Sequence, residues 1–282
     1  MIAVVDYQKG NLKSVERGLI AAGGEALITA DASEIAKADA IVLPGVGAFA
    51  DAAATMCELG QMEAIRDRVR AGVPFLGICL GEHLMFEHGV EGAPEGNPAC
   101  GLGLLPGTVV AMPRCDAQGK AFKVPHVGWN TIEIPACSGG AAVPPRGEGG
   151  GNAVLSSGGA GGGAARSSAA KRGLFEHGAF PGSAPQVGSE LAFPDSTPQP
   201  GSNLAFACPL FDGIAPGEYF YFTHSYIAPT GSHTIAETTH SVRFTSAVQF
   251  GECAFGVQFH PEKSSDAGAR VLANFVAIAA RG

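Results

Sequence analysis

The sequence predicts an α/β fold: an open, mostly parallel sheet flanked by helices, with an antiparallel strand extension in its second half. Three observations carry this. Short apolar, β-branched runs alternate with helix-period segments through the first hundred residues. The links between them are short, as βαβ crossovers with a covered parallel sheet require. After Gly101 the pattern changes to short strands separated by turns, at the spacing of hairpins.

Taken in order, Ile2–Val5 is apolar and β-branched, and Asp6–Asn11 turns the chain into a helix over Leu12–Ala22. Leu12, Val15, Leu19 and Ile20 there recur at helical spacing. Asp39–Leu43 reads as the next strand, ended by Pro44-Gly45-Val46-Gly47. Ala50–Arg70 is helical with a break near Gly60, and Val73–Ile78 is a buried strand running into Cys79. The second half offers strands at Thr108–Met112, Val127–Ile134, Tyr219–Ile227, His233–Thr239, Ala247–Phe250 and Ala254–Phe259. Asp266–Ala280 closes the pattern as a helix with Val271, Leu272, Phe275, Val276 and Ile278 on its apolar side.

Gly 41 and Pro 19 in 282 residues are a large excess, yet 46% of the chain is hydrophobic. Both hold because the excess is concentrated. Between Cys137 and Asn203, 43 of 67 residues are Gly, Ala, Ser or Pro. Such a stretch buries too little apolar surface to offset roughly 1–2 kcal/mol of ordering entropy per residue. The expected organisation is therefore one domain over 1–282, interrupted by a low-complexity, disordered insertion at 137–203. The remaining 215 residues suffice for a single core.

The net charge of −8, with no basic run, argues against a nucleic-acid partner, whose phosphates need Lys and Arg. No apolar run reaches the roughly 18 residues of a membrane span, and Met1–Asp6 has the look of a first strand rather than a signal peptide. Seven scattered Cys residues without a CxxC pair fit neither a disulfide framework nor a zinc site. The expectation is a cytoplasmic protein with no metal and no cofactor.

The sharpest local feature is Gly77-Ile78-Cys79-Leu80-Gly81, set between a strand and a helix. A strand that turns abruptly into a helix lifts the turn residue out of the sheet edge, and flanking glycines relieve the crowding. The helix N-terminus favours a thiolate there. By itself Cys79 is as readily a small buried hydrophobe. A thiolate nucleophile needs a base, and that base an orienting group. His260 ends an apolar strand and Glu262 follows two residues later, across Pro261, so Glu262 could hold one ring nitrogen while the other faces Cys79. The Gly-rich turn ending at Gly47 lies at the same sheet edge, where its N–H groups could serve an oxyanion.

Taken together, Gly77-Ile-Cys-Leu-Gly81 and Phe259-His-Pro-Glu262 resemble the motifs of the class I, triad-type glutamine amidotransferases. Further stretches narrow the resemblance: Asp6-Tyr7-x-x-Gly10-Asn11-Leu12, Leu43-Pro-Gly-Val-Gly47, Pro125-His-Val-Gly-Trp-Asn130, Tyr221-Phe-Thr-His-Ser-Tyr226 and His260-Pro-Glu-Lys-Ser-Ser265. This set is similar to that of the glutaminase subunits of imidazole glycerol phosphate synthases, over nearly all of the chain outside 137–203. The resemblance implies a flavodoxin-like sheet and a Cys79–His260–Glu262 triad acting on L-glutamine. It implies oxyanion donors near Gly47 and at Leu80. It assigns glutamine binding to Glu91 and the Ser225–Tyr226 backbone, and to position 83. There the family usually has Gln, and this chain has Glu82-His83 in place of Met-Gln. It also implies a heterodimer with the cyclase subunit of that synthase, to which ammonia passes for histidine biosynthesis. Asn11, Trp129, Tyr221 and Lys263 become partner-interface candidates. Composition alone would equally bury Trp129.

Two alternatives stand beside this. One is a glutaminase of another class I amidotransferase, disfavoured by Pro125–Asn130. The other is an amidotransferase-like subunit that docks without hydrolysing glutamine, favoured only by His83.

Overall fold

The computed structural model describes residues 1–134 and 208–281, so the insertion expected at 137–203 lies outside the described residues. The chain alternates β1 (Ile2–Val5), α1 (Leu12–Ala21), β2 (Ala26–Thr29), α2 (Ala32–Ile35), β3 (Ala40–Gly45), α3 (Phe49–Glu58), α4 (Gln61–Arg70) and β4 (Phe75–Cys79). It continues through α5 (Leu80–His83), β5 (Phe86–Gly89), β6 (Ala99–Cys100), β7 (Leu105–Ala111) and β8 (His126–Thr131). Then follow β9 (Tyr219–His224), β10 (Tyr226–Ile227), β11 (Thr234–Thr239), β12 (Arg243–Phe250), β13 (Ala254–Val257) and α6 (Ser265–Ala279).

The main sheet runs β11-β12-β13-β4-β3-β1-β2. Its five strands β2, β1, β3, β4 and β13 are parallel, and β12 and β11 extend it antiparallel at one edge. Strands β1, β3 and β4 are buried along their whole length, which is why they read as continuous apolar runs. Their alternation divides the core between two faces. Val4, Val42 and Leu76 pack with Val15, Leu19, Val271 and Phe275, while Val5, Ile41 and Phe75 pack with Phe49, Met56, Ile65 and Val69.

The expected antiparallel extension is smaller than the number of second-half strands implies. Of the second-half strands, β13 joins the main sheet parallel to β4 and only β12 and β11 extend it antiparallel; β10, β7, β5 and β6 form a second sheet, and β8 and β9 a separate ribbon. The run expected at Tyr219–Ile227 breaks at Ser225, because its two parts pair with different strands, β8 and β7. The break near Gly60 falls where expected, with Gly60 at φ +69° between α3 and α4.

Candidate active site

β4 ends in a turn that the backbone resists. Cys79 has φ 56° and ψ −105°, a conformation that costs a residue with a side chain about 1–3 kcal/mol. The surroundings enforce it. A Cβ on Gly81 would lie 1.8 Å from the Leu43 carbonyl oxygen, and one on Gly77 would lie 2.5 Å from the Gly81 carbonyl oxygen. Glycine at both positions lets the chain after β4 fold back against β3, the parallel neighbour in which Gly45 is the register partner of Cys79. The helix that follows spans only Leu80–His83. Its dipole is therefore a smaller influence on the thiol than a full helix would supply, and the nearby side chains carry more of the electrostatics.

His260 and Glu262 stand at the end of the neighbouring strand. β13 pairs parallel with β4 as far as Val257 and Ile78, so the chain beyond it emerges beside Cys79. The Nδ1 of His260 lies 2.9 Å from Oε1 of Glu262, and both side chains are 2% exposed. Burial pulls the imidazole pKa down, but Cys79 and Glu262 together outweigh it and raise the pKa to about 9. With Nδ1 engaged by Glu262, Nε2 is the nitrogen left for Cys79, and it makes no fully formed hydrogen bond among the described residues. The backbone of His260 is fixed independently. Its N–H donates to the Tyr221 carbonyl at 2.9 Å, and the Ser264 hydroxyl donates to its carbonyl at 2.7 Å. Ser264 also accepts from the Tyr221 N–H, joining the turn to β9.

The sulfur of Cys79 has two polar neighbours, the Thr223 carbonyl at 3.9 Å and the amide nitrogen of Gln258 at 3.7 Å. Gln258 is fully buried, and its Oε1 lies 2.7 Å from Nε2 of His83. Burial pushes the His83 pKa down to about 4, so the ring is neutral near pH 7. Glu82 is also fully buried, and neither carboxyl oxygen has a hydrogen-bond partner among the described residues. Burial, and then the charge of Cys79, raise its pKa well above the ordinary carboxyl range.

Gly47, at φ +106°, lies in the turn after β3 with the Lys9 chain over it. Lys9 is held by Asp51 at 3.4 Å. Leu80 is buried against Gly45, whose Cβ, if present, would stand 2.7 Å from that of Leu80. Glu91, shortly after β5, lies against the first turn of α3, where its carbonyl accepts from the Ala50 N–H at 3.0 Å. Burial raises its pKa, and the Phe49 N–H bonded to it opposes that rise.

Ser225 joins β9 to β10, which starts at Tyr226, and a row of neutral histidines backs them. Nδ1 of His224 lies 2.8 Å from the Tyr226 carbonyl, so that nitrogen carries the hydrogen. Its Nε2 then accepts from His126 Nδ1 at 3.0 Å, and His126 Nε2 accepts from Asn130 at 3.3 Å. Burial first, and neighbouring rings after it, lower His126 to about 4; His224, also pulled down chiefly by burial, lies near 3. His126, His224 and Ser264 stand in stretches that narrow the resemblance, but the sequence gives them no role, and Gln258 stands outside those stretches.

The interface candidates lie on the β8–β9 ribbon and in the turns before α1 and after β13. Trp129 is 51% exposed, opposite Tyr221 in the ribbon register, with ring centroids 6.1 Å apart. Val127 and Tyr219 are exposed beside it. Lys263 is exposed in the turn after Glu262, and Asn11 is partly exposed ahead of α1. A cleft of about 550 Å³ borders Trp129, Tyr219, Ser264 and Asp266; Cys79 does not line it. Among the described residues no helix is long and apolar enough to cross a membrane.

Comparison with known proteins bears on this geometry. The family model described as glutamine amidotransferase class-I matches residues 3–135. The imidazole glycerol phosphate synthase subunit HisH of Moorella thermoacetica is 35% identical, over 97% of this chain and 93% of its own. The HisH subunit of Rhodopirellula baltica is 33% identical over 98% and 96% of the two chains. Among solved structures, a glutamine amidotransferase superposes with a TM-score of 0.56 at 15% identity, covering 99% of this chain and 98% of that one. PurLQS from Thermotoga maritima gives 0.54 at 14%, covering 98% and 97%. At those identities the structures speak to the fold alone. The sequence relatives go further: the chain belongs to the class-I glutamine amidotransferases, in the family of imidazole glycerol phosphate synthase HisH subunits.

Proposed function

We propose that this chain hydrolyses L-glutamine to glutamate and ammonia as the glutaminase subunit of an imidazole glycerol phosphate synthase, with Cys79, His260 and Glu262 as its triad. The observation that carries this is a buried His260–Glu262 pair beside a cysteine on a strained strand-to-helix turn. With its pKa raised to about 9, His260 holds a proton near neutral pH and pairs with a Cys79 thiolate. The thiolate adds to the side-chain carbonyl of glutamine, and the oxyanion faces backbone N–H groups near Gly47 and at Leu80. Collapse of this adduct breaks the C–N bond, with the His260 proton leaving on ammonia. A water activated by the now neutral His260 then cleaves the thioester and regenerates the pair. Glu262 keeps Nδ1 of the ring occupied and so keeps Nε2 for the chemistry. Glu91 and the Ser225–Tyr226 backbone would hold the amino-acid end of glutamine.

The proposed partner is the cyclase subunit, which would receive the ammonia and form imidazole glycerol phosphate and aminoimidazole carboxamide ribotide. The exposed face bearing Val127, Trp129 and Tyr219 supports a docking surface of this kind. The proposed compartment is the cytoplasm, in keeping with free thiols at Cys57, Cys79, Cys100, Cys115 and Cys253. The test combines the chain with its cyclase and glutamine, and follows glutamate with and without the cyclase ligand. Glutamate release that depends on both supports the reading. No release, with ammonia still driving the cyclase, would instead mark a docking subunit that has lost hydrolysis.

A further inference from the structure

A fully buried side-chain amide must have both ends satisfied, and the way Gln258 satisfies them has a direction. Its Oε1 carries no hydrogen, so at 2.7 Å from His83 Nε2 it accepts, and His83 must be the Nε2–H tautomer. The opposite end of the amide then turns an N–H toward the sulfur of Cys79, 3.7 Å away. Were the amide reversed, an oxygen lone pair would face a sulfur that becomes negative during the reaction. The Nε2–H tautomer at position 83 and the orientation in which a donor meets the sulfur therefore go together. Gln258 is itself held, since its backbone N–H donates to the Ser246 carbonyl at 3.0 Å. His83, 3% exposed, commits its Nε2–H to this purpose.

We infer that Gln258 is a positioning residue for the nucleophile, its amide oriented by His83 so that an N–H holds the Cys79 sulfur and favours its thiolate, and that His83 acts through Gln258. Cys79 thus has an imidazolium on one side and an uncharged donor on the other. This rests on the reading of Cys79 as the nucleophile.

Two measurements on the full-length chain test it. One is the rate at which iodoacetamide labels the buried Cys79 in the free subunit, resolved by peptide mass spectrometry because Cys57, Cys100 and Cys115 are exposed. The other is kcat and KM for glutamine with the cyclase subunit present. Gln258→Met should lower both labelling and kcat roughly tenfold, since a hydrogen bond to a charged group is lost. KM should stay within about twofold. Gln258→Glu, which sets a carboxylate oxygen against the sulfur, should lower them further. His83→Phe should act in the same direction, and His83→Gln, which retains an N–H for Oε1, should restore most of the rate. The double variant Gln258→Met/His83→Phe should be no slower than Gln258→Met alone, because the two act as one unit.

Labelling and kcat at the level of the unmodified chain in Gln258→Met and Gln258→Glu would overturn the inference. So would a loss confined to KM, which marks a substrate contact. If Gln258→Met does not fold, the His83→Phe and His83→Gln pair decides by the same readouts. Cys79→Ala separates the two layers. Glutamine turnover surviving in that variant sinks the nucleophile reading. An inactive Cys79→Ala beside unaffected Gln258 variants sinks only this inference.

Discussion

His260 and Glu262 meet through a 2.9 Å hydrogen bond between two side chains that are each 2% exposed. The ring is held protonated to about pH 9 against an ordinary value of 6.5. A proton bound more tightly in the folded state stabilises the fold fully below the unfolded pKa, and that stabilisation is lost as pH rises through the folded pKa. The protein should therefore lose on the order of 1–3 kcal/mol of stability relative to His260→Gln between about pH 6.5 and 9. Chemical denaturation of both proteins across that window checks it. Parallel curves would mean that the pair does not hold its proton. Glu262→Gln should narrow the window and lower kcat by on the order of 10²-fold or more.

Cys79→Ala should abolish glutamine-dependent synthesis while ammonia-dependent synthesis by the cyclase persists. Backbone strain adds a second readout at the same site. At φ 56° and ψ −105° a Cβ is a liability that glycine lacks. Cys79→Gly should accordingly exceed Cys79→Ala in stability by about 1 kcal/mol, seen as a higher thermal midpoint. Equal midpoints would argue against strain at the turn.

Glu82 places a carboxyl in the core with no hydrogen-bond partner among the described residues. Its pKa is raised, so the folded state prefers the protonated form, and the cost appears above the unfolded value near 4.5 and grows as pH rises toward the folded one. Glu82→Met should gain roughly 1–3 kcal/mol at neutral pH, with the advantage vanishing below about pH 4.5. A gain independent of pH would point to packing rather than charge.

Trp129 projects from the ribbon with half its surface open and Tyr221 beside it. Trp129→Ala should weaken association with the cyclase by at least about tenfold while leaving the thermal midpoint of the free subunit nearly unchanged. Titration calorimetry and a melting curve read these separately. A fall in the midpoint with affinity intact would recast Trp129 as a structural residue.

The parts of this molecule legible in the sequence are those in which local chemistry and global position agree. β1, β3 and β4 are buried on both faces, so their apolar runs stand out. The turn at Cys79 shows because close backbone approach demands glycine at 77 and 81. His260 and Glu262 show because they stand two apart across Pro261, although a 3-10 turn over Pro261–Lys263 rather than an extended segment brings them together. β2 was hidden because it is a half-exposed edge strand, with Leu27 open to solvent. β5 and β6 were hidden because they are short and pair only within the second sheet. Gln258 left one trace, a lone polar residue in the apolar run Phe255–Phe259. Its meaning depends on His83, 175 positions away. The resemblance assigns His83 to glutamine binding, and the structure adds a bond from its Nε2 to Gln258.

The β8–β9 ribbon also says where this fold can be lengthened. Its strands pair from His126 with His224 at one end to Thr131 with Tyr219 at the other. The first end lies by the sulfur, through Thr223. The chain departs after the second end, past Ile132 and Glu133, which are still tied to Glu218 and Glu237. Up to that remote tip the register is held by six cross-strand pairs and those ties. Closing a longer connection costs only about 0.6 kcal/mol for each doubling of its length. That tip is a point of genetic tolerance: sequence can accumulate there for a small, logarithmic cost while the residues that would handle glutamine keep their spacing.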